Sequence, residues 1–327
     1  MPQLTKTRAS EILRTFGERK VLVLGDVMLD EFVWGDVTRI SPEGPVPVVD
    51  VRRESVHLGG AANVLANLIA LGAHGWVVGV IGNDFAGERL RDELRQLNSG
   101  GDSGVIVDET RRSTTKTRIV AHSQLVVRAD RESRAPIDAK LETQIVARLK
   151  EKLAAADAFV VSDYDKGVVT PGILREILPF AYERVPVLVD PKLRNFSSYR
   201  PATLITPNHH EALRMSDTED HSDDGSHDAA RIIQQKLGCD AVLITRGDRG
   251  MMLLESGGQP VYVETAAREV YDVTGAGDTV IATLAGALAA GATMLEAATL
   301  ATHAAGIVVG KVGTATATAS ELLATFE

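Results

Sequence analysis

Short runs of apolar residues recur along the chain, and they constrain its fold more than any other feature of the sequence. The runs show no alternation of polar and apolar residues, and they lie at residues 20–25, 76–82, 159–162, 187–190, 204–206 and 241–245. Strands that are apolar on both faces are typical of parallel sheets enclosed by helices. Segments of helical length separate the runs, at residues 61–71, 85–97, 139–155, 171–181, 227–237, 278–290 and 294–309. This alternation predicts an α/β fold in which a mostly parallel sheet has helices on both faces.

Two segments depart from this pattern, at about residues 31–54 and 111–131. In both of them polar and apolar residues alternate, which is typical of strands with one exposed face. We expect these strands to form a small sheet outside the main one, and such a sheet would cover a site, form a dimer surface, or do both. The prediction is therefore a single domain over residues 1–327, with the small sheet as its lid.

The charge and the cysteine content argue against several classes of protein. The 35 Lys and Arg residues are outnumbered by 44 Asp and Glu residues, and the net charge of −9 disfavours general nucleic-acid binding. Cys239 is the single cysteine, which excludes an internal disulfide and a multi-cysteine metal site and fits a reducing compartment. No apolar run approaches the roughly 18 residues of a membrane span, and residues 1–10 are too polar for a signal peptide. We therefore expect a cytoplasmic protein that binds neither nucleic acid nor a membrane.

The strongest chemical signal lies near the C-terminus, where Asp272–Thr279 reads DVTGAGDT and an apolar helix pattern follows. Gly275 and Gly277 allow a tight turn with outward-pointing N–H groups, and the start of a helix adds the positive end of its dipole. This combination predicts an anion hole for a phosphate. Asp278 would then lie beside the phosphate, where a carboxylate is useful as a base that takes a proton from an attacking hydroxyl. The alternative is a glycine-containing loop whose acidic residue stabilises the start of the helix.

Other phosphate-binding motifs and metal sites find less support. The GAGD segment lacks the third glycine of the dinucleotide-binding motif, and no GK[ST] follows it as in a P-loop, which disfavours a dinucleotide-dependent dehydrogenase. Residues 216–228 are acidic and contain two histidines, so a metal site is conceivable there. A solvated loop is the favoured interpretation of that segment.

The DVTGAGDT motif and its position resemble those of the ribokinase-like carbohydrate kinases, the pfkB family. Further segments resemble this family in the expected order, at residues 25–30, 59–63, 208–211 and 245–250. The resemblance covers essentially the whole chain. It implies a ribokinase-like three-layer αβα fold with a β-sheet lid, ATP and Mg²⁺ as cofactors, and a homodimer built on the lid strands. It also allows for a monovalent cation such as K⁺ near the anion hole.

The resemblance assigns roles to individual residues. Asp278 is the expected catalytic base, and the expected anion hole is formed by the backbone of Gly275, Ala276 and Gly277. The expected sugar contacts are Asp30, Gly59, Gly60 and Asn63. The expected ATP contacts are Asn208, Glu211, Thr245, Arg246, Gly247, Thr302 and His303. Asn208 and Glu211 are also expected to hold Mg²⁺ through water.

The chemistry of these residues supports part of this assignment independently. Asp30 follows an apolar strand at its C-terminal end, where ligands of parallel sheets bind, although a turn or a helix cap explains it equally well. Asn63 and Asn67 lie one turn apart on an otherwise apolar helix, so one of them should face a ligand or a buried partner. The resemblance favours Asn63 and leaves Asn67 a structural role. Thr302 departs from the asparagine that the family has near the adenine.

Three segments, at residues 35–48, 162–168 and 306–314, resemble the branch of the family that phosphorylates a heptose 7-phosphate. Residues 111–134 hold seven Lys and Arg residues and two acids. This predicts either a binding site for a sugar phosphate, at Lys116 or Arg128, or a solvated basic face. The further substrate contacts that the resemblance implies are Gln124, Asp163 and Tyr164. Lys166 and Lys192 are further candidates for the sugar phosphate, because each lies just past a strand. Alternatively, Lys192 approaches the transferring phosphate.

The expected reaction is therefore ATP-dependent phosphorylation of the anomeric hydroxyl of D-glycero-β-D-manno-heptose 7-phosphate, on the route to lipopolysaccharide. This kinase is fused to a nucleotidyltransferase in many bacteria, and a chain that ends at Glu327 leaves no room for that domain, which suggests the kinase-only form. Two alternatives stay open. One is another sugar kinase of the family, acting on ribose, fructose or a fructose phosphate. The other is a sugar or nucleotide sensor without activity, against which an intact Asp278 argues.

Overall fold

The computed structural model of the protein describes residues 4–97, 104–122, 124–267 and 269–326. Within these ranges the α-helices are α1 (Lys6–Phe16), α2 (Ala61–Ala70), α3 (Phe85–Leu97), α4 (Ala139–Leu153), α5 (Pro171–Tyr182), α6 (His209–Ser216), α7 (Asp223–Leu237), α8 (Ala276–Ala289), α9 (Met294–Val308) and α10 (Ala319–Leu323). The strands are β1 (Lys20–Gly25), β2 (Val27–Ile40), β3 (Pro47–Gly60), β4 (His74–Gly82), β5 (Val105–Asp108), β6 (Thr114–Ala121), β7 (Gln124–Arg131), β8 (Ala158–Ser162), β9 (Val187–Asp190), β10 (Leu204–Ile205), β11 (Ala241–Thr245), β12 (Met251–Glu255) and β13 (Val261–Val263).

The main sheet contains all six strands that the apolar runs predicted. Over the described residues its order is β13-β12-β11-β10-β9-β8-β1-β4-β5. The pairs from β5 to β11 are parallel, whereas β12 pairs antiparallel with both β11 and β13. The prediction of a mostly parallel sheet is confirmed. The sequence analysis missed β5, β12 and β13, which lie towards the two edges of the sheet.

Alternate residues of the central strand pack into different cores. Val21 and Val23 belong to a core shared with α1, α2, α8 and α9. Leu22 and Leu24 belong to a second core, shared with α4, α5 and α7. Because successive side chains of a strand point to opposite faces, an uninterrupted apolar run requires a helical layer on each side of the sheet. The fold therefore has the three layers that the sequence predicted.

The lid is a separate sheet with the order β3-β2-β6-β7 in the described residues. Its strands are longer than the alternating pattern indicated, because β2 begins one residue after β1, at Val27, and β3 runs directly into α2 at Gly60. The register between β2 and β3 shifts between Trp34 and Gly35 and again between Val37 and Arg39. Such bulges bend a strand and increase its twist.

The acidic segment predicted as a loop over residues 216–228 is shorter than expected, because α7 already begins at Asp223 rather than at His227. Ser222 causes this earlier start, since its side chain accepts a hydrogen bond from the Gly225 N–H. Asp223 and Asp224 lie in the first turn, where negative charge is favourable. Residues 217–222 are thus the loop between α6 and α7, and residues 223–228 form the start of α7.

The single cysteine, Cys239, is buried, and burial raises the pKa of its thiol to about 12. Among the described residues, no helix combines the length and the apolar character that a bilayer crossing requires.

We predict that Gly286→Ala destabilises the fold. A Cβ at Gly286 in α8 would lie 2.5 Å from a ring carbon of the buried Phe16 in α1. Overpacking of this kind costs about 1–3 kcal/mol in the free energy of unfolding, which urea denaturation measures. In a protein that already carries Phe16→Leu, the substitution Gly286→Ala should lower the free energy of unfolding by less than it does in the unsubstituted protein. An unchanged denaturation midpoint for Gly286→Ala would contradict the tight packing.

Candidate active site

The predicted anion hole lies at the start of α8. Gly275 precedes the helix with φ of +80°, a conformation that favours glycine. A Cβ at this position would also lie 2.7 Å from Nδ2 of Asn63. Asp278 follows in the first turn and is buried, with 2% of its surface exposed. The Ala276 N–H donates to the Val273 carbonyl at 3.2 Å. The helix start therefore combines the positive end of the helix dipole with a carboxylate that is shielded from water.

Two donors hold the Asp278 carboxylate. Nδ2 of Asn63 donates to Oδ2 at 2.8 Å, and the Tyr164 hydroxyl donates to Oδ1 at 2.7 Å. Burial raises the pKa of Asp278 to about 6, although both hydrogen bonds oppose the rise. A carboxylate of this kind is ionised at neutral pH, yet it is basic enough to accept a proton from a hydroxyl.

Asn67 takes the structural position that the sequence assigned to it. Its Nδ2 donates to the backbone oxygen of Asn63 at 2.9 Å and to Oδ1 of Asn63 at 3.2 Å. Its Oδ1 accepts from the Thr279 hydroxyl at 2.8 Å. Asn67 thus connects α2 with α8 and fixes the side chain that contacts Asp278.

The segment after β8 is organised by Asp26, which was not among the predicted site residues. Its carboxylate accepts hydrogen bonds from the N–H groups of Tyr164, Lys166 and Val168, at 2.8, 3.1 and 3.1 Å. The available signal was its position, since Asp26 is the first polar residue after β1. The Asp26 carboxylate, which follows β1, thus fixes the backbone of the loop after the neighbouring strand β8.

Asp163 and Lys166, predicted as substrate contacts, are engaged with protein groups. The Asp163 carboxylate accepts from Tyr199 at 2.6 Å, from Asn195 at 2.7 Å and from the Asp165 N–H at 2.7 Å. Lys166 is buried and forms an ion pair with Glu132 at 2.7 Å. Both carboxylate oxygens of Asp163 have hydrogen-bond partners within the protein, so Asp163 has a structural role here.

The lid presents charged residues beside Asp278. Asp30 is buried on β2 and forms an ion pair with Arg118 of β6. Gly59 is required next to it, because a Cβ there would lie 2.3 Å from Oδ2 of Asp30. The Lys116 ammonium group lies 5.3 Å from the centre of the Tyr164 ring, and within the described residues it has no ion-pair partner. Arg118 was not among the predicted site residues.

Gln124 and Arg128 lie on β7, whose described residues are all exposed. Arg128 pairs with Asp130 through two contacts of 2.9 Å. The structure therefore places both predicted contacts at the outer edge of the lid. Of the two cations proposed for a sugar phosphate, Lys116 is the one beside Asp30 and Tyr164.

A small cavity of about 140 Å³ adjoins the start of α8, and its lining includes Tyr164, Asp190, Lys192, Asn208 and Glu211. Lys192 forms an ion pair with Glu211. Oε2 of Glu211 accepts from the Asn208 N–H at 3.0 Å, and Oδ1 of Asn208 accepts from the Glu211 N–H at 2.9 Å. Asn208 and Glu211 thus form a capping box at the start of α6 while they face the cavity.

Asp190 adds a carboxylate to this cavity that the predicted site residues did not include. Burial raises its pKa to about 8, and the charges of Glu211 and Asp278 act in the same direction. Its side chain accepts no hydrogen bond from any described residue. The signal was again a polar residue directly after a buried strand, here β9.

The donors around the small cavity fit a divalent cation such as Mg²⁺. They are the carboxylates of Asp190 and Glu211 and the amide oxygen of Asn208, and Mg²⁺ prefers oxygen ligands. Over the part of the chain that the structure describes, no group of three or more His, Cys, Asp and Glu side chains is arranged to hold a metal ion, residues 216–228 included. Mg²⁺ would therefore take its remaining ligands from water and from phosphate oxygens.

A larger cavity of about 540 Å³ lies on the other side of the α8 start. Its lining includes three of the predicted ATP contacts, Thr245, Gly247 and Thr302. The Thr302 hydroxyl is buried without a hydrogen-bond partner among the described residues. This volume is in the range of nucleotide and cofactor sites. Gly277 lines both cavities, so the two meet at the anion hole.

The structure does not bring Arg246 and His303 into this cavity, which corrects two predicted contacts. Nη1 of Arg246 contacts Asp223 at 2.5 Å, and the guanidinium lies over the ring of Tyr262. His303 stacks on Phe326 at 4.2 Å. Each follows a residue that lines the cavity, and neighbouring residues of a helix or strand point in different directions.

A nucleotide-sized cavity, a small cavity lined by oxygen donors and a lid that carries the buried Asp30 thus converge on one buried carboxylate. This arrangement is that of an enzyme that transfers a phosphoryl group to a small molecule with several hydroxyls. The chain belongs to the pfkB family of carbohydrate kinases, whose profile matches residues 18–321. The protein is accordingly a sugar kinase, a class of phosphotransferase that uses ATP and a divalent cation.

Comparison with known proteins supports this family and the fold. The chain is 47% identical over 313 residues to the bifunctional protein HldE of Caulobacter vibrioides, and 46% identical over 303 residues to that of Pelobacter propionicus. The alignments cover 95% and 92% of this chain but only 64% and 62% of those relatives. The structure of phosphofructokinase-2 from Escherichia coli in complex with substrates and products superposes with a TM-score of 0.78, at 18% identity, over 94% of this chain and 98% of that one. The fold is therefore ribokinase-like.

We predict that Asp190→Asn stabilises the protein increasingly as the pH rises from about 4 to 8. The pKa of Asp190 is about 8 in the folded chain, against about 4 in an unfolded one. Between these pH values Asp190 keeps its proton in the folded state and has lost it in the unfolded state. The contribution of Asp190 to the free energy of unfolding therefore falls as the pH rises. Asparagine removes that dependence.

The measurement for Asp190→Asn is the melting temperature between pH 4 and 8, without ligands. The exposed Asp228→Asn variant on α7 is the control and should show no growing difference. A difference between Asp190→Asn and the unsubstituted protein that stays constant over this range would contradict the raised pKa.

Proposed function

We propose that the protein phosphorylates the anomeric hydroxyl of D-glycero-β-D-manno-heptose 7-phosphate with ATP, giving the 1,7-bisphosphate and ADP. The observation that carries the proposal is the position of Asp278. This carboxylate lies between the lid, which offers Asp30 and Lys116, and the two cavities that meet at Gly277. The product would feed the synthesis of ADP-heptose for lipopolysaccharide.

In this proposal Asp278 removes the proton from the anomeric hydroxyl as that oxygen attacks the terminal phosphorus of ATP. The backbone N–H groups at the start of α8 stabilise the charge on the transferring group. Asp30 accepts hydrogen bonds from sugar hydroxyls and so orients the reacting carbon. Asp190, Asn208 and Glu211 would hold Mg²⁺, directly or through water, and the ion would supply neutralisation of charge on the phosphate oxygens. Most of the rate gain comes from positioning and electrostatics.

Three observations favour a heptose phosphate over other sugars. The relatives at 46–48% identity are named HldE, and the segments at residues 35–48, 162–168 and 306–314 resemble the heptose branch of the family. In addition, burial lowers the pKa of Lys116, and this ammonium group has no ion-pair partner among the described residues. A half-buried cation without a counterion is suited to an anionic substrate.

The assembly and the location are also part of the proposal. On the exposed strand β7, Leu125, Val126 and Val127 leave apolar side chains in solvent, which supports a homodimer through the lid. Thr314 has a buried hydroxyl without a partner in the described residues, close to Gly275, which supports a monovalent cation such as K⁺ near the anion hole. The cytoplasmic location stays a prediction from the sequence.

The substrate is tested by ADP release from the purified protein with ATP and Mg²⁺. The three sugars compared are D-glycero-β-D-manno-heptose 7-phosphate, fructose 6-phosphate and ribose. We expect release with the heptose phosphate only. Activity with only one of the other sugars would support the assignment as a sugar kinase and would exclude heptose 7-phosphate as the substrate. ATP binding without turnover on any of them would favour the sensor.

Asp278→Asn should lower kcat by about 10²–10⁴ while the dissociation constants of ATP and sugar change little. The reason is that asparagine preserves the shape of the side chain but cannot accept the proton. Coupled ADP release gives kcat, and titration calorimetry gives the dissociation constants. Asp228→Asn serves as the control. A kcat near that of the unsubstituted protein would show that another group is the base.

Lys116→Met should raise KM for the phosphorylated sugar by about 10–100-fold, the value of one charge-assisted hydrogen bond. KM for ATP should change much less. The control is Arg52→Met, because Arg52 is an exposed lid cation paired with Asp36. Equal effects of the two substitutions would mean that Lys116 contributes only to the general charge of the lid.

A further inference from the structure

Tyr164 occupies a position between the two halves of the candidate site. Its hydroxyl donates to Oδ1 of Asp278 at 2.7 Å. Its ring is contacted by two ammonium groups, that of Lys116 from the lid at 5.3 Å and that of Lys192 from the small cavity at 5.5 Å. The residue therefore touches the base, the sugar side and the phosphate side at once.

The backbone of Tyr164 is also fixed. Its N–H donates to Oδ2 of Asp26 at 2.8 Å, and the same carboxylate holds the N–H groups of Lys166 and Val168. Asp26 is buried at the end of β1, and its own N–H donates to the Ser162 carbonyl at 3.2 Å. The Tyr164 hydroxyl is therefore positioned next to Asp278 by a loop whose backbone is hydrogen-bonded to the end of β1.

The chemistry of the phenol determines what this contact does. Burial and the charges of Asp278 and Asp190 raise the pKa of the Tyr164 phenol well above its usual value. The phenol therefore keeps its proton at neutral pH and acts as a hydrogen-bond donor to the carboxylate. A donor stabilises the ionised form of a carboxylate relative to its protonated form.

We propose that Tyr164 is a positioning residue that keeps Asp278 ionised and oriented, and that it sets the lower pH limit of the reaction. The resemblance had placed Tyr164 among the substrate contacts. The inference rests on the proposed role of Asp278 as the base, which can act only when it is ionised. Asn63 supplies the second donor, to Oδ2 at 2.8 Å, so each oxygen of the carboxylate has one partner.

Other charged groups also act on Asp278, and none of them replaces this donor. Asp30 on β2 raises its pKa, and Lys116 on β6 lowers it. Asp190 at the end of β9 is a further acidic neighbour. Lys192 and Glu211 face the small cavity and pair with each other. Tyr164→Phe leaves all of these charges and the ring contacts in place, and it removes only the hydroxyl.

The test is the titration of Asp278 in protein labelled with ¹³C at the aspartate carboxyl carbons, without substrates. The resonance is assigned by its absence in Asp278→Asn. We expect Tyr164→Phe to raise the titration midpoint by about one pH unit or more, the value of one hydrogen bond to a charged group. The acidic limb of kcat/KM should move to higher pH by a similar amount. Because the titration needs no substrate, its outcome is independent of which sugar the enzyme uses.

Tyr199→Phe is the matched control. Tyr199 is also buried and its hydroxyl also donates to a carboxylate, that of Asp163, at 2.6 Å, but it does not contact Asp278. This variant should lose stability without moving the Asp278 midpoint. An unmoved midpoint in Tyr164→Phe, or equal shifts in the two variants, would overturn the proposal.

A second measurement covers the case in which Tyr164→Phe does not fold. In the unsubstituted protein labelled at the tyrosine ring carbon that bears the hydroxyl, the Tyr164 resonance should shift with the same midpoint as Asp278. That shift should vanish in Asp278→Asn. A Tyr164 resonance that is insensitive to the ionisation of Asp278 would contradict the hydrogen bond.

Discussion

The burial of one negative charge, on Asp278 at the start of α8, is the constraint on which the rest of the site depends. A carboxylate removed from water is costly unless donors replace the lost hydration. The two donors come from distant parts of the chain, Asn63 on α2 and Tyr164 after β8. Each is held in turn, the first through Asn67 and the second through Asp26. The fold thus fixes the carboxylate through contacts between helices and the central sheet, and the residual cost leaves its pKa near neutrality, where a base is useful.

The two cavities and the lid all adjoin the Asp278 carboxylate. Gly277 lines both cavities, so a phosphate chain can pass from the larger to the smaller one across the start of α8. The carboxylates of Asp190 and Glu211 face the smaller cavity, and Lys116 extends from the lid towards Tyr164. Lys192 also lines the smaller cavity, and Asp30 lies opposite Lys116 in the lid, so each side of Asp278 carries both acidic and basic groups.

The sequence alone predicted the layers of the fold, because a strand that is apolar on both faces has one stable environment, as Val21 to Leu24 illustrate. It also indicated Asp278, since glycines before an acidic helix start have a direct chemical meaning. It did not reveal Asp26 or Asp190, whose importance arises from three-dimensional neighbours, respectively the N–H groups after β8 and the carboxylates around the small cavity. Arg246 and His303 were placed wrongly because a motif gives the position of a residue and not the direction of its side chain.

The root of the lid has a mechanical consequence. Strand β2 leaves the main sheet after Asp26, whose carbonyl accepts the Ala61 N–H and whose carboxylate binds three further N–H groups. This residue cannot serve as a hinge without breaking those bonds. The register of β2 with β3 is unbroken at Asp30 and Phe32, and its irregularities lie farther out, beyond Trp34. In the proposed reaction the lid would therefore keep Asp30 at a fixed place relative to Asp278, while its outer, bulged part is the part that can adapt to the sugar.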